Sequence, residues 1–350
     1  MTIKTKLLEA GKMKTYLLDR MYKASSGIAN AIFVTIGIGL LLETIGNMTG
    51  LTILVIIGTA VKMLMAPAIG AGIAVMLGGN TLTIFSAMAA GAIGAGAIQT
   101  TADGMITIAT GEPIGCLIAA TIATFVGKRI SGKTPLDMMA IPITAVLAGG
   151  IAGYYLNLVI APFLNIVSAF ISASVADSPV IGAAVISVVG GLVLMSPASS
   201  AAIAIALNLD PVSSAAMLVG TTSMYIGFSF VSMRQNNLGG FLAQFVCTPK
   251  VQLPNIVKNP RILIGPTLAA AVAAPISTVA LGFTAPSALG GLGFCSLIAP
   301  LNIFVSQGSG SFAIYIITAC LVPIAITIVV NKVLEKASWL RKGDMALVVE

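Results

Sequence analysis

The chain contains no histidine at all. That removes the commonest metal ligand and the side chain best suited to act as a general base near neutral pH. It also removes any phosphohistidine on this chain and the usual hydrolytic triads. Charge is scarce too: 8% of the 350 residues are Asp, Glu, Lys or Arg, against about 25% in a soluble domain. The four cysteines, Cys116, Cys247, Cys295 and Cys320, show no metal-type spacing, and most lie in or beside apolar stretches, where a thiol behaves as a small hydrophobe. No Gly-rich phosphate loop occurs, which excludes ATP hydrolysis by this chain. Neither a metal nor another cofactor is expected.

What is present is apolar and small. Hydrophobic residues make up 57% of the chain, and 37 residues are glycine. Several stretches reach the roughly 20 residues that a bilayer requires, and small residues let helices approach closely where lipid gives them no hydrophobic reason to associate. The expectation is an all-α integral membrane protein with about ten transmembrane helices, some of them broken, and a re-entrant hairpin.

The net charge of +7 is concentrated at four places. Lys4, Lys6, Lys12, Lys14, Arg20 and Lys23 precede the first apolar stretch, and Lys332, Lys336, Arg341 and Lys342 follow the last. Lys128, Arg129 and Lys133 form a compact cluster, and Arg234, Lys250, Lys258 and Arg261 mark the longest polar connection, 233–261. Positive segments mark the cytoplasmic side. Ten crossings put both termini and both loops, 128–137 and 233–261, inside. The basic runs are therefore read as topology signals and not as a nucleic-acid surface. The basic lead-in is too long for a secretory signal and has no small-residue cleavage site. Residues 1–26 read as a cytosolic basic helix able to lie on anionic lipid. Residues 27–331 read as the transmembrane domain and 332–350 as a cytosolic tail.

The expected spans are Ile28–Ile45, Leu51–Leu77, Thr81–Ile98, Ile114–Val126, Met138–Ile160, Phe163–Val175, Val180–Leu207, Val212–Val231, Ile262–Phe283 and Phe312–Val330. Pro67 breaks the second and Ser196-Pro197 the seventh. Ala285–Gln307 is apolar but cut by Pro286, Gly290, Gly291, Gly293 and Pro300, so it reads as re-entrant. Residues 67–79 and 179–191 agree at six of thirteen positions, a weak internal repeat.

The chemistry concentrates in Gln99–Cys116, which holds Gln99, Thr100, Thr101, Asp103, Thr107, Thr110 and Glu112 between two apolar stretches. Carboxylates near membrane depth face a cavity, a partner or the aqueous edge. Asp103 or Thr110 suits the N-cap of the helix starting near Glu112. Lys62, in the middle of the second span, needs a partner or a wet cavity. Lys62 with Asp103 or Glu112 is the expected pair, either neutralising each other or gripping a polar solute together with Gln99 and Thr100. Asp177 and Asp210 read as turn and cap residues.

Three motifs carry a resemblance: Gly111-Glu112-Pro113-Ile114-Gly115, the basic loop Gly127–Lys133, and Ile141–Gly150 with Ile160-Ala-Pro162. They resemble the membrane permease, enzyme IIC, of sugar phosphotransferase systems, most closely the fructose-type branch and its stand-alone relatives. The resemblance implies a homodimeric multi-pass permease of the bacterial plasma membrane, with re-entrant hairpins around a site for a small polar solute such as a sugar. It also implies a soluble IIB-type phosphoryl donor. The Gly-Ile-Thr-Glu segment of that branch is missing, and Cys247–Pro254, which has no carboxylate, stands in its place. Three functions remain open: a phosphotransferase permease, a carrier that works without phosphorylation, and a membrane sensor. In none of them does this chain transfer phosphate itself.

Overall fold

The computed structural model describes residues 16, 19–21, 23–100, 105–196 and 199–347. A chain in hydrocarbon must satisfy its backbone internally, and the regular structure of the described residues is helical apart from one two-stranded ribbon. The first helices are α1 (Asp19–Thr49), α2 (Thr52–Met63), α3 (Met65–Met76) and α4 (Thr81–Gly94). The ribbon β1 (Ile98–Thr100) and β2 (Ile106–Ile108) pairs antiparallel with Gln99 opposite Thr107. Then come α5 (Pro113–Ile130), α6 (Asp137–Asp177), α7 (Pro179–Leu194), α8 (Ser200–Leu207) and α9 (Pro211–Ser232). Helices α10 (Leu238–Cys247), α11 (Leu253–Lys258), α12 (Pro260–Ala280), α13 (Ile298–Ile316) and α14 (Val322–Lys336) complete the chain.

Six helices among the described residues are long and apolar enough to cross a membrane, or seven if α2 and α3, bent by 56°, form one broken span. The difference from ten arises at identifiable places. The fifth and sixth expected spans are a single helix, α6, which runs through both Pro142 and Pro162 over 41 residues, ~60 Å of rise. Neighbouring groups re-satisfy the carbonyls that such prolines free, so a membrane helix tolerates them where a soluble one breaks. Helix α4 has only 14 residues, and the expected seventh span divides into α7 and the eight-residue α8. Lys128 and Arg129 belong to the last turn of α5, not to the loop beyond it, where they favour the negative end of the helix dipole.

The chain forms two compact units. The first comprises the chain up to Ile36 and Ala60–Pro162. Its core is a close packing of α3, α4 and α5, where Met65, Ile69, Ile73, Ala87, Ala90, Cys116 and Ala119 are fully buried. A Cβ added at Gly115 would strike the Gly94 carbonyl, so the α4–α5 contact depends on that missing atom.

The second unit comprises Gly37–Thr59 and the chain from Phe163 onward. It is built around α9, which is buried on all sides and carries Ser213, Ser214, Thr221, Thr222, Ser223, Ser229 and Ser232. Thr221, Ser223 and Ser229 return their protons to the preceding turn, as Ser223 does to Val219 O at 2.7 Å, so these hydroxyls sit in an apolar core with their hydrogen bonds made. Glu43, near the end of α1, accepts a hydrogen bond from Thr59 Oγ1 at 2.6 Å.

Two hairpins return to where they start. Ser172 Oγ on α6 donates to Asp210 Oδ2 at 2.7 Å, which brings the end of α8 beside the start of α7. Gln307 Nε2 donates to Thr284 O at 3.1 Å and closes 285–307 in the same way. The break lies at Gly308 (φ 83, ψ 179), inside α13. The backbone of 285–307 thus goes out and returns, and α7–α8 does the same where a single span was expected. Ala285 N donates to Pro211 O at 3.0 Å, so the mouth of the second hairpin adjoins the start of α9. At the opposite end of α9, the tail 338–347 folds onto the 233–261 connection, with Gln252 and Asn255 donating to the carbonyls of Met345 and Ala346.

Candidate functional site

Of the sequence candidates in the first unit, Glu112 is the best defined. It is itself the N-cap of α5, the role expected of Asp103 or Thr110: Oε1 accepts from Ile114 N at 2.5 Å and Oε2 from Gly115 N at 2.6 Å. Its own N–H donates to Ala95 O at 2.8 Å, which fixes the cap against the end of α4. Gly111 (φ +77) makes the turn into this cap, packed against Ala95 and Ala97. Each carboxylate oxygen has a second lone pair, so a half-buried Glu112 keeps acceptor capacity for a solute while it serves the helix.

Lys62 lies in the last turn of α2, half-buried, immediately before the 56° bend. Gln99 and Thr100 have their backbones in β1, opposite Thr107 and Ile106. Asp103 lies outside the described residues. One polar residue beside Glu112 escaped the sequence reading. Asn157 on α6 donates from Nδ2 to Gly94 O at 2.9 Å. Its Nδ2 also lies where a Cβ of Gly96 (φ +60) would come within 2.7 Å. An isolated Asn in the apolar run Tyr155-Leu156-Asn157-Leu158-Val159 was the available signal.

The second unit contributes a set of contacts that no local pattern announced. Ser200, at the start of α8 in the first hairpin, donates to Gly291 O in the second at 2.8 Å. A Cβ on Gly291 would strike the Ser200 carbonyl, so only glycine permits this crossing. Along α9, Ser214 donates to Pro286 O at 2.8 Å and Thr221 to Gly290 O at 3.2 Å. Tyr225 packs against Gly293 and donates from its hydroxyl to Cys247 O at 3.3 Å. The descending arm of the second hairpin is thereby pinned along α9. Its end, Phe294, packs on Phe245 of α10 with ring centroids 5.1 Å apart. Ser296 and Leu297 then adopt left-handed backbone (φ 47 and 58) and turn the chain into α13. Helices α8 and α13 therefore both begin within the protein, where their first N–H groups face polar ligands most favourably.

In the polar connection, burial pushes the Lys250 ammonium down to about 8, because a half-buried cation loses hydration. Among the described residues no cluster of three or more Cys, Asp or Glu side chains is placed to hold a metal. The chemistry on offer is hydrogen bonding by hydroxyls, amides, carboxylate and helix N-termini.

Among the described residues, six or seven helices long and apolar enough to cross a membrane, with chain reversals meeting at glycines and hydroxyls beside a buried polar helix, define a multi-pass membrane protein with broken helices. Residues 22–347 match the family model described as phosphotransferase system, EIIC, and the chain belongs to that family. No curated protein matches the chain.

Proposed function

We propose that this protein is the membrane permease component of a sugar phosphotransferase system, passing a small polar solute such as a sugar across the bacterial plasma membrane. The observation that carries the reading is the crossing of the two hairpins at Ser200 and Gly291, in a chain whose family is EIIC over nearly its whole length. Broken helices that meet in a protein interior are where membrane carriers hold their solutes. Within the first unit, Glu112, with Asp103, Lys62, Gln99 and Thr100, supplies polar groups for binding a solute. A sugar offers a ring of hydroxyls that carboxylates, amides and hydroxyls recognise in pairs. Phosphorylation belongs to a separate soluble IIB-type protein, since this chain has no histidine. The working form is a homodimer.

In this reading the two hairpins re-enter on one side. The crossings are then α1, the bent pair α2–α3, α4, α5, α6, α9, α12 and the segment from Gly308 through α14. Eight crossings keep the parity that the four basic clusters demand, with both termini and the loops near 131–136 and 233–261 in the cytoplasm. The test is purified protein in liposomes with labelled sugar, with and without a phosphorylated IIB-type partner. Sugar phosphate inside the vesicles only in the presence of the partner is the expected result. Equal accumulation of unmodified sugar in both cases would replace this reading with a carrier that works without phosphorylation, and sugar phosphate without the partner would overturn the division of labour.

A further inference from the structure

Two cations of the first unit converge on one backbone oxygen. Arg20 Nη1 donates to Leu77 O at 3.2 Å, and Lys128 Nζ donates to the same oxygen. Leu77 follows the last turn of α3, and Gly78 (φ +73), with Lys128 Nζ 3.6 Å from where a Cβ would stand, then turns the chain away. The carbonyl at a helix C-terminus attracts a cation, but it carries only a partial charge and one oxygen cannot neutralise two cations. Lys23 forms an ion pair with Asp19 at 2.9 Å, and among the described residues no carboxylate lies within ion-pair distance of Arg20 or Lys128. The Arg20 Nε is buried without a hydrogen-bond partner, while the guanidinium rests 5.0 Å from the centroid of the exposed Tyr16 ring. Lys128 is exposed, so its remaining N–H donors are open to a ligand.

The position of this pair selects the ligand. Arg20 lies on the first turns of α1, and Lys128 lies in the last turn of α5, where apolar sequence gives way to Arg129 and Lys133. That is the depth of the phosphates in a bilayer. Tyr16, with an apolar ring and a polar hydroxyl, is a side chain that settles at the same level. A guanidinium and an ammonium held side by side match the two free oxygens of a phosphate better than either matches a single point charge. Basic pockets between transmembrane helices are known physical sites for anionic headgroups.

We propose that Arg20 and Lys128, clamped on the Leu77 carbonyl, form a phosphate site occupied by the headgroup of an anionic phospholipid. The anion shares its negative charge between the two cations and ties α1, α3 and α5 together at the membrane edge. The site is independent of the solute site and of the transport reading.

The test measures the thermal stability of the full-length purified chain in detergent. Phosphatidylglycerol, phosphatidylcholine or inorganic phosphate is titrated into wild type, Lys128→Gln, the double variant Arg20→Gln/Lys128→Gln, and Lys336→Gln as a distant control. Phosphatidylglycerol is expected to raise the melting temperature of wild type and the control, with phosphatidylcholine inert. The apparent lipid affinity should fall about five- to tenfold in Lys128→Gln and further in the double variant, since each basic residue near a membrane contributes on the order of 1 kcal/mol. The same stabilisation by inorganic phosphate, lost in the same variants, would keep the anion site and assign it to free phosphate. Equal phosphatidylglycerol effects in all four proteins, or none in wild type, would overturn the proposal. Should the double variant fail to fold, the exposed Lys128→Gln decides alone.

Discussion

Ser172 and Asp210, 38 positions apart, share a hydrogen bond of 2.7 Å between Oγ and Oδ2. Asp210 also caps α9, accepting from Val212 N at 3.0 Å and Ser213 N at 3.1 Å. One carboxylate therefore starts the central helix of its unit and closes the first hairpin against α6. Those three donors outweigh its partial burial, and the result is a contact that sets the path of the chain: α7 and α8 go in and come back.

Stability should register this double duty. Asp210→Ala is expected to lower stability by about 2 kcal/mol, the sum of a lost cap and a lost side-chain bond. Asp210→Asn should cost less than about 1 kcal/mol, because Asn caps nearly as well. Ser172→Ala should fall in the same small range. Thermal unfolding of the three variants in detergent checks the order. An Asp210→Ala protein as stable as wild type would mean that the hairpin closes by other means.

The solute site is tested by Glu112→Gln. Losing a charged acceptor to a ligand costs about 1.5–3 kcal/mol, or roughly ten- to a hundredfold in affinity. Binding of labelled sugar should weaken by that much in Glu112→Gln while Asp210→Asn binds as wild type. Because Gln retains one acceptor oxygen for the helix, the melting temperature should move little. Unchanged binding would leave Glu112 a cap and nothing more.

Membrane sidedness is tested with single cysteines at Ser131 and Val257 in a cysteine-free background. Val257 is 79% exposed, whereas the neighbouring Asn255 is buried in hydrogen bonds to Gln252 and Ala346 and would be a poor reporter. Both positions should resist an impermeant thiol reagent added outside intact cells and react after lysis. Labelling from outside at both would reverse the topology.

The second hairpin can be trapped with the protein's own thiols. Cys247 and Cys295 both lie against Tyr225, one in α10 and the other just beyond the hairpin tip. Treatment of membranes with copper–phenanthroline should join them, visible as protection from a later maleimide mass tag, and should stop uptake if the tip must leave α10 during transport. Cys295→Ser should be insensitive. Crosslinking that leaves uptake intact would show the tip to be a fixed element.

Lys250 gives a pH prediction. Its folded value, about 8, lies below the roughly 10.4 of a free lysine. Between those limits the unfolded chain binds more protons than the folded one, so stability rises with pH through the window from about 8 to 10.4. Below pH 8 both states carry the charge and the contribution is flat. Lys250→Met should remove the rise. Melting temperatures of both proteins from pH 7 to 10.5 decide it, and parallel curves would refute the assignment.

Much of this fold was legible where the code is local. Basic clusters, apolar lengths and the Pro/Gly-cut stretch 285–307 found the helices and one hairpin, because hydrocarbon leaves the backbone few choices. Reading failed where a contact joins distant residues. Nothing near Ser196-Pro197 says that Asp210 will meet Ser172, so a returning hairpin read as a span. Pro162 looked like a boundary because proline breaks soluble helices, yet α6 passes through it. Glu112 stood out by its charge, but the cap role it plays was expected of Asp103 or Thr110. Asn157 and the Ser200–Gly291 crossing were missed because neither carries charge and both depend on distant backbone carbonyls.

The tail folded on the 233–261 connection has a consequence for biosynthesis. Gln252 and Met345 are 93 positions apart, and Asn236 finds the same Met345 carbonyl across 109. At ribosomal rates of ~5–20 residues per second, the connection waits on the order of 5–20 seconds after it emerges before its partners exist. During that interval Gln252 and Asn236 hold their amides open to water or to whatever binds them first. Only when the later segment arrives does this surface become an interior, so its closure marks a chain whose preceding helices have all been made.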